Sequence, residues 1–172
     1  LAMVDPDTKT ELDPLLAHYG LGLGPGVLVD LQDRLAQGDL TSLLVRTFTE
    51  HEITQDLTAA VLFPLARHLT FNEETGKDWD YVPLARTSPN SWAETNMQGR
   101  VVSLNEKEDV KGPLPLAAAL SPKKAPEEGK PRPAIVVVGN STFATNAFFN
   151  FPGNTDFFLH TTGWLAEERD LI

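Results

Sequence analysis

Apolar residues recur along this chain in two registers, one helical and one strand-like. Leu12, Leu15, Leu16 and Tyr19 sit at helical spacing and predict an amphipathic helix over about residues 10–19. Thr10 or Asp13 can cap it, with Pro14 in the first turn, and Gly20 marks its end. Elsewhere short apolar runs stand between turn residues and read as buried strands. The clearest is residues 134–138, apolar and mostly β-branched, closed by Gly139. Such a run fits a strand covered on both faces. Further strands are predicted at residues 1–4, 27–29, 43–48, 60–63, 82–86 and 114–120. A last helix is predicted over about residues 155–166, capped by Asn154, with Asp156 in its first turn. Phe157, Thr161, Trp164 and Leu165 then face the sheet.

The polar stretches are predicted to connect these elements. Residues 31–41 read as loop with some helical turn, 72–80 as an insertion and 88–92 as a turn. Residues 99–109 are polar, with extended character at Val101 and Val102. Residues 121–133, rich in Pro, Lys and Glu, read as an exposed loop between two hairpin strands. No internal repeat is visible.

Composition narrows the function classes. A chain of 172 residues that is 41% hydrophobic can bury one core, so a single domain spanning residues 1–172 is expected. The net charge of -10 disfavours nucleic acid and anionic membrane surfaces as partners. The absence of cysteine removes thiol nucleophiles, disulfides and thiolate metal sites. No apolar run approaches the roughly 20 residues that span a bilayer, and no signal peptide is visible. The opening Leu1-Ala2-Met3-Val4-Asp5-Pro6 reads as a cut into a buried strand. A fragment truncated at its N-terminal side is therefore expected.

Candidate chemistry is sparse. Gly139-Asn140-Ser141-Thr142 follows the buried strand, where ligands of open α/β sheets usually bind. A nucleophile elbow needs glycine two residues beyond the serine, and Phe143 stands there. The alternative is that Asn140 and Ser141 bond local backbone and shape a tight loop. The glycine run from Gly20 to Gly26 follows a helix and opens a strand, the reverse of a phosphate-cradling order. It reads as a helix-to-strand turn. His18, His51, His68 and His160 show no metal-ligand spacing, so no metal or other cofactor is expected. Trp79, Tyr81 and Trp92 lie in polar surroundings, where exposed aromatics stack on sugars or anchor a protein partner. The alternative is a satellite cluster that holds long loops down.

Several segments together resemble one family. They are residues 15–20 running into 27–30, then 51–57, 61–67, 84–92, 111–117, 135–144 and 154–165. The most recognisable are Leu84-Ala85-Arg86-Thr87-Ser88-Pro89-Asn90-Ser91-Trp92 and Ile135-Val136-Val137-Val138-Gly139-Asn140-Ser141-Thr142-Phe143-Ala144. In this order the set resembles the auxiliary component of uncharacterised ABC-type transport systems, including gliding-motility auxiliary proteins. The resemblance implies a three-layer α/β fold of class I glutamine amidotransferase-like (flavodoxin-like) type, with a mixed, mostly parallel sheet. It also implies an extracytoplasmic, periplasmic domain, tethered to a bacterial cell membrane by helices outside this chain. Its partners would be ABC transporter permease and ATPase subunits. Enzymes of that fold use a cysteine nucleophile, which this chain lacks. Glu52 stands where the family has Pro, and Asn140 where it has Asp. A non-catalytic binding or assembly role is therefore expected, with contacts through Asn140, Ser141, Asn146, Trp79 and Trp92. The competing readings are a serine hydrolase using Ser141 and a glycan-binding domain using exposed aromatics.

Overall fold

A computed structural model describes residues 1–35, 39–97, 102–124 and 132–167. Strands dominate it. In chain order they are β1 (Ala2–Met3), β2 (Leu21–Leu23), β3 (Val27–Asp30), β4 (Ser42–Val45), β5 (Val61–Pro64) and β6 (Leu69–Phe71). β7 (Trp79–Arg86), β8 (Ser91–Glu94), β9 (Val110–Lys111), β10 (Pro115–Pro122) and β11 (Ile135–Val138) follow. Among the described residues the helices are α1 (Asp13–His18) and α2 (Pro152–Leu165), with a 3-10 turn at Thr142–Ala144.

The main sheet has the order β1-β11-β10-β7. β11 pairs with β1 in parallel and with β10 antiparallel, and β10 pairs antiparallel with β7. Smaller sheets join β2 to β6, β4 to β5, and β3 to β8 to β9. The architecture is α/β with a mixed sheet. It is not mostly parallel: among the described residues only the β1–β11 pairing is parallel. The consecutive strands β10 and β11 pair antiparallel, as strands of a hairpin do.

Alternation along β10 and β11 gives the sheet two buried faces. Ala119, Val136 and Val138 pack against Phe63, Phe143 and Phe157, the last from α2. Ala118, Leu120 and Val137 pack against Leu16 of α1 and against Leu21 and Leu69 of the β2–β6 pair. This is why the β11 run shows no polar alternation.

The helices differ from the sequence pattern at their starts. α1 is shorter than predicted; Leu15 is exposed and only Leu16 is buried. Thr10 accepts a hydrogen bond from the Leu12 amide at 3.1 Å, ahead of the helix. Gly20 ends the turn at φ +79, and a Cβ there would stand 2.7 Å from the Asn72 carbonyl. α2 begins earlier than predicted, and Asn154 is not its cap. The N-cap is Phe151, and Asn154 lies inside the first turn with its amide pointed into the core.

Other expectations also shift. Part of the Gly20–Gly26 run is strand β2, because it pairs with β6, itself unpredicted. The polar insertion ends at Asp78, since β7 already starts at Trp79. β9 is a two-residue strand that the polar pattern hid. Of the predicted loop at residues 121–133, Ser121 and Pro122 belong to β10. Its residues 125–131, and Val101, lie outside the described residues.

Candidate functional site

The two parallel strands end side by side. Beyond β1 the Val4 amide donates to the Val138 carbonyl at 2.9 Å. The next residue on each path is Asp5 and Gly139, followed on the second by Asn140 and Ser141. Topology thus brings Asp5 and Ser141 together across 136 positions of chain, at the carboxyl ends of the strands.

Asp5 organises the site. Its Oδ1 accepts the Ser141 amide at 2.7 Å and the Asn140 side-chain amide at 3.2 Å. Its Oδ2 accepts the Ser141 hydroxyl. Asn140 is 0% exposed. Its Nδ2 also donates to the Pro64 carbonyl at 2.6 Å, and its Oδ1 accepts the Phe143 amide at 2.8 Å. Buried amides must be satisfied in this way, or each lost bond costs stability.

Arg67 closes the other side. Its guanidinium donates to the carbonyls of Gly24 at 3.0 Å, Asp5 at 3.3 Å and Leu23 at 3.4 Å. Its backbone amide donates to the Gly139 carbonyl at 2.7 Å. No side chain fits at Gly139, where a Cβ would stand 2.1 Å from the Arg67 carbonyl. Beside this group Leu65 adopts φ +56 and leaves its side chain 51% exposed. A β-turn-like reversal after β5 therefore presents a large apolar residue to solvent in a strained backbone.

The arrangement is a closed polar clasp rather than a nucleophile with its base. A serine nucleophile needs a base at its hydroxyl, most often histidine. The Ser141 hydroxyl is given to Asp5, and none of the four histidines bonds it. His51 accepts the Ile53 amide at 3.1 Å and packs edge-on to Trp164. His160 donates through Nδ1 to the Ile53 carbonyl at 3.1 Å. His68 is buried, with its Nδ1 unpartnered. Burial pushes the His51 and His68 pKa values down; Glu52 opposes this at His51, and Arg67 adds to it at His68. Among the described residues no group of three or more His, Asp or Glu side chains is placed to hold a metal ion.

The sequence-predicted contact residues do not converge. Asn140 and Ser141 lie in the clasp, and Asn146 is exposed beyond it on the same loop. Trp79 opens β7 of the main sheet, while Trp92 lies in β8 of another sheet. Trp92 is only 4% exposed, and its indole donates to Glu94 at 3.1 Å. The expectation of an exposed aromatic is therefore corrected at Trp92, which lies in the middle strand of the β3–β8–β9 sheet between Val29 and Lys111. Trp79 is half-buried, with its ring centroid 5.0 Å from that of Tyr19.

Sequence reasoning missed Asp5, Arg67 and a buried carboxylate at Asp30. Asp30 accepts four donors: the amides of Gln32 at 2.8 Å, Asp33 at 3.0 Å and Ser88 at 2.8 Å, and the Ser88 hydroxyl at 2.7 Å. It ties the turn after β3 to the turn after β7. The signal was present in each case as an acidic or basic residue directly after an apolar run.

Residues 2–161 match the family of ABC-type uncharacterized transport systems. The chain belongs to this family. The family is described as one of auxiliary parts of ABC-type transport systems. Among the described residues of this transport-system component, no helix is long and apolar enough to cross a membrane. Its fold is similar to that of the mmIFT52 N-terminal domain, with a TM-score of 0.60 at 14% identity. The match covers 95% of this chain and 62% of that one, so the component spans less than two thirds of the solved structure. No curated protein matches it in sequence.

Proposed function

We propose that this component is a non-catalytic binding or assembly module of a bacterial ABC-type export system of the gliding-motility kind. In this reading it is an extracytoplasmic, periplasmic domain held at the cell membrane by helices outside this chain. It contacts the permease through the loop that follows β11, and joins the ATPase only through that permease, across the membrane. The three-layer, glutamine amidotransferase-like arrangement belongs to the same proposal. One observation carries the non-catalytic part: the Ser141 hydroxyl is committed to Asp5, with no histidine bonded to it. A site at the carboxyl ends of parallel strands is thereby spent on structure. The exposed neighbours of the clasp, Asn146 and Leu65, remain for contacts.

These 172 residues hold no cysteine, so a thiol introduced among them is the sole one in this domain. Asn146→Cys, carrying a thiol-linked photocrosslinker, is expected to capture a permease subunit from cell membranes, identified by mass spectrometry. Recovery of no permease subunit, with the variant folded and present in the membrane fraction, overturns the proposal.

A further inference from the structure

The turn after β6 and the first residues of β7 line an open cleft of about 410 Å³. This is the size range of small-ligand sites. Phe71, Trp79 and Tyr81 form its aromatic wall. The Phe71 and Tyr81 rings are stacked, 4.3 Å apart and 8° from parallel. Trp79 is braced edge-on by Tyr19 at 85°. The rim carries Glu73, Asp80, Lys77 and Lys123. Lys123 is anchored, its ammonium donating to the Lys77 carbonyl at 2.8 Å.

Three features of this cavity fit one ligand chemistry. The rim holds two carboxylates and two ammonium groups, so its charges cancel and an ionic ligand gains little. The same groups supply hydrogen-bond donors and acceptors to a neutral, hydroxyl-rich molecule. The rings offer rigid flat surfaces to the C–H face of a sugar. The Tyr81 hydroxyl is also buried without a partner, which in a native structure calls for an explanation. Burial, outweighing nearby Arg86, raises its pKa.

We propose that this cavity binds a neutral mono- or disaccharide, with Trp79 and Tyr81 as its platform. The site lies apart from the clasp after β11, so it stands or falls independently of the transporter contact.

The test titrates the 172-residue chain with cellobiose, maltose and chitobiose, read by tryptophan fluorescence and saturation-transfer NMR. At least one is expected to saturate and to perturb Trp79. Trp79→Ala is expected to weaken binding about tenfold or more. Tyr81→Ala removes the ring stacked on Phe71; it is expected to weaken binding several-fold with an unchanged circular dichroism spectrum. Trp92→Phe, on the other sheet, is expected to leave binding unchanged. Three outcomes overturn the proposal: no saturation by any of the sugars, unchanged affinity in both cavity variants, or tighter binding of a diuronic acid than of neutral disaccharides.

Discussion

At the scale of single residues, side chains of this chain act mainly as substitutes for backbone. Asn140 accepts from one backbone amide and donates to backbone carbonyls, and Asp30 gathers three amides. Polar residues were legible as loop-shapers where they follow a strand, as Asn140 and Ser141 do. Their partners were not, because Asp5 meets Ser141 only through the pairing of β1 with β11. The histidines allow a prediction at this scale. His51 and His68 have folded pKa values pushed below 6.5, so the unfolded chain binds protons first as pH falls. The stability this contributes is complete above about pH 6.5 and is lost as pH falls through the depressed folded values. The urea midpoint is expected to drop between pH 7 and pH 5. The drop should be smaller in His51→Gln, and an equal drop in the variant would contradict this assignment.

At the scale of elements, helix α2 is fastened to the strands by one amide. The Leu62 amide of β5 donates to Asn154 Oδ1 at 2.7 Å, and Asn154 Nδ2 donates back to the Leu62 carbonyl at 3.1 Å. The side chain thus pairs with β5 as a strand would. It also donates to the carbonyls of Phe143 at 3.0 Å and Phe148 at 3.2 Å. Asn154→Ala leaves a buried amide and its carbonyl partners unpaired, each worth about 1–3 kcal/mol. A loss of roughly 3 kcal/mol is expected in urea unfolding; a loss of a few tenths would show that water replaces the bonds. Legibility follows the same logic. β10 and β11 could be read because both faces are buried and the apolar run is unbroken. β2, β6 and β9 could not, since two or three residues with glycine, threonine or lysine among them carry no period. Asn154 looked like a cap because caps and buried amides draw on the same residue type.

At the scale of the whole molecule, contacts between distant parts of the sequence decide the fold. The main sheet places β1 beside β11, and the β2–β6 pair packs on one face while α2 covers the other. The α/β class and the buried sheet could be anticipated from the pattern. The antiparallel majority could not, because strand direction depends on connections that apolar runs do not encode. A prediction follows for the join between the chain's opening segment and the rest. Asp5→Ala removes the acceptor for the Ser141 amide, its hydroxyl and the Asn140 side chain. The amides of residues 2–4 are expected to exchange with solvent faster than in the parent chain, while those of β10 keep their protection. Equal protection of both segments in the variant would show that Asp5 does not hold β1.

The parallel sense of the β1–β11 pair also has a mechanical meaning. A pull applied to residue 1 and to the end of α2 draws the two strands along each other. Their bonds, together with the three at Asp5, are then strained simultaneously rather than peeled one by one. The clasp works as a shear fastening: short as β1 is, tension along the chain meets its greatest resistance where Asp5 grips the loop after β11.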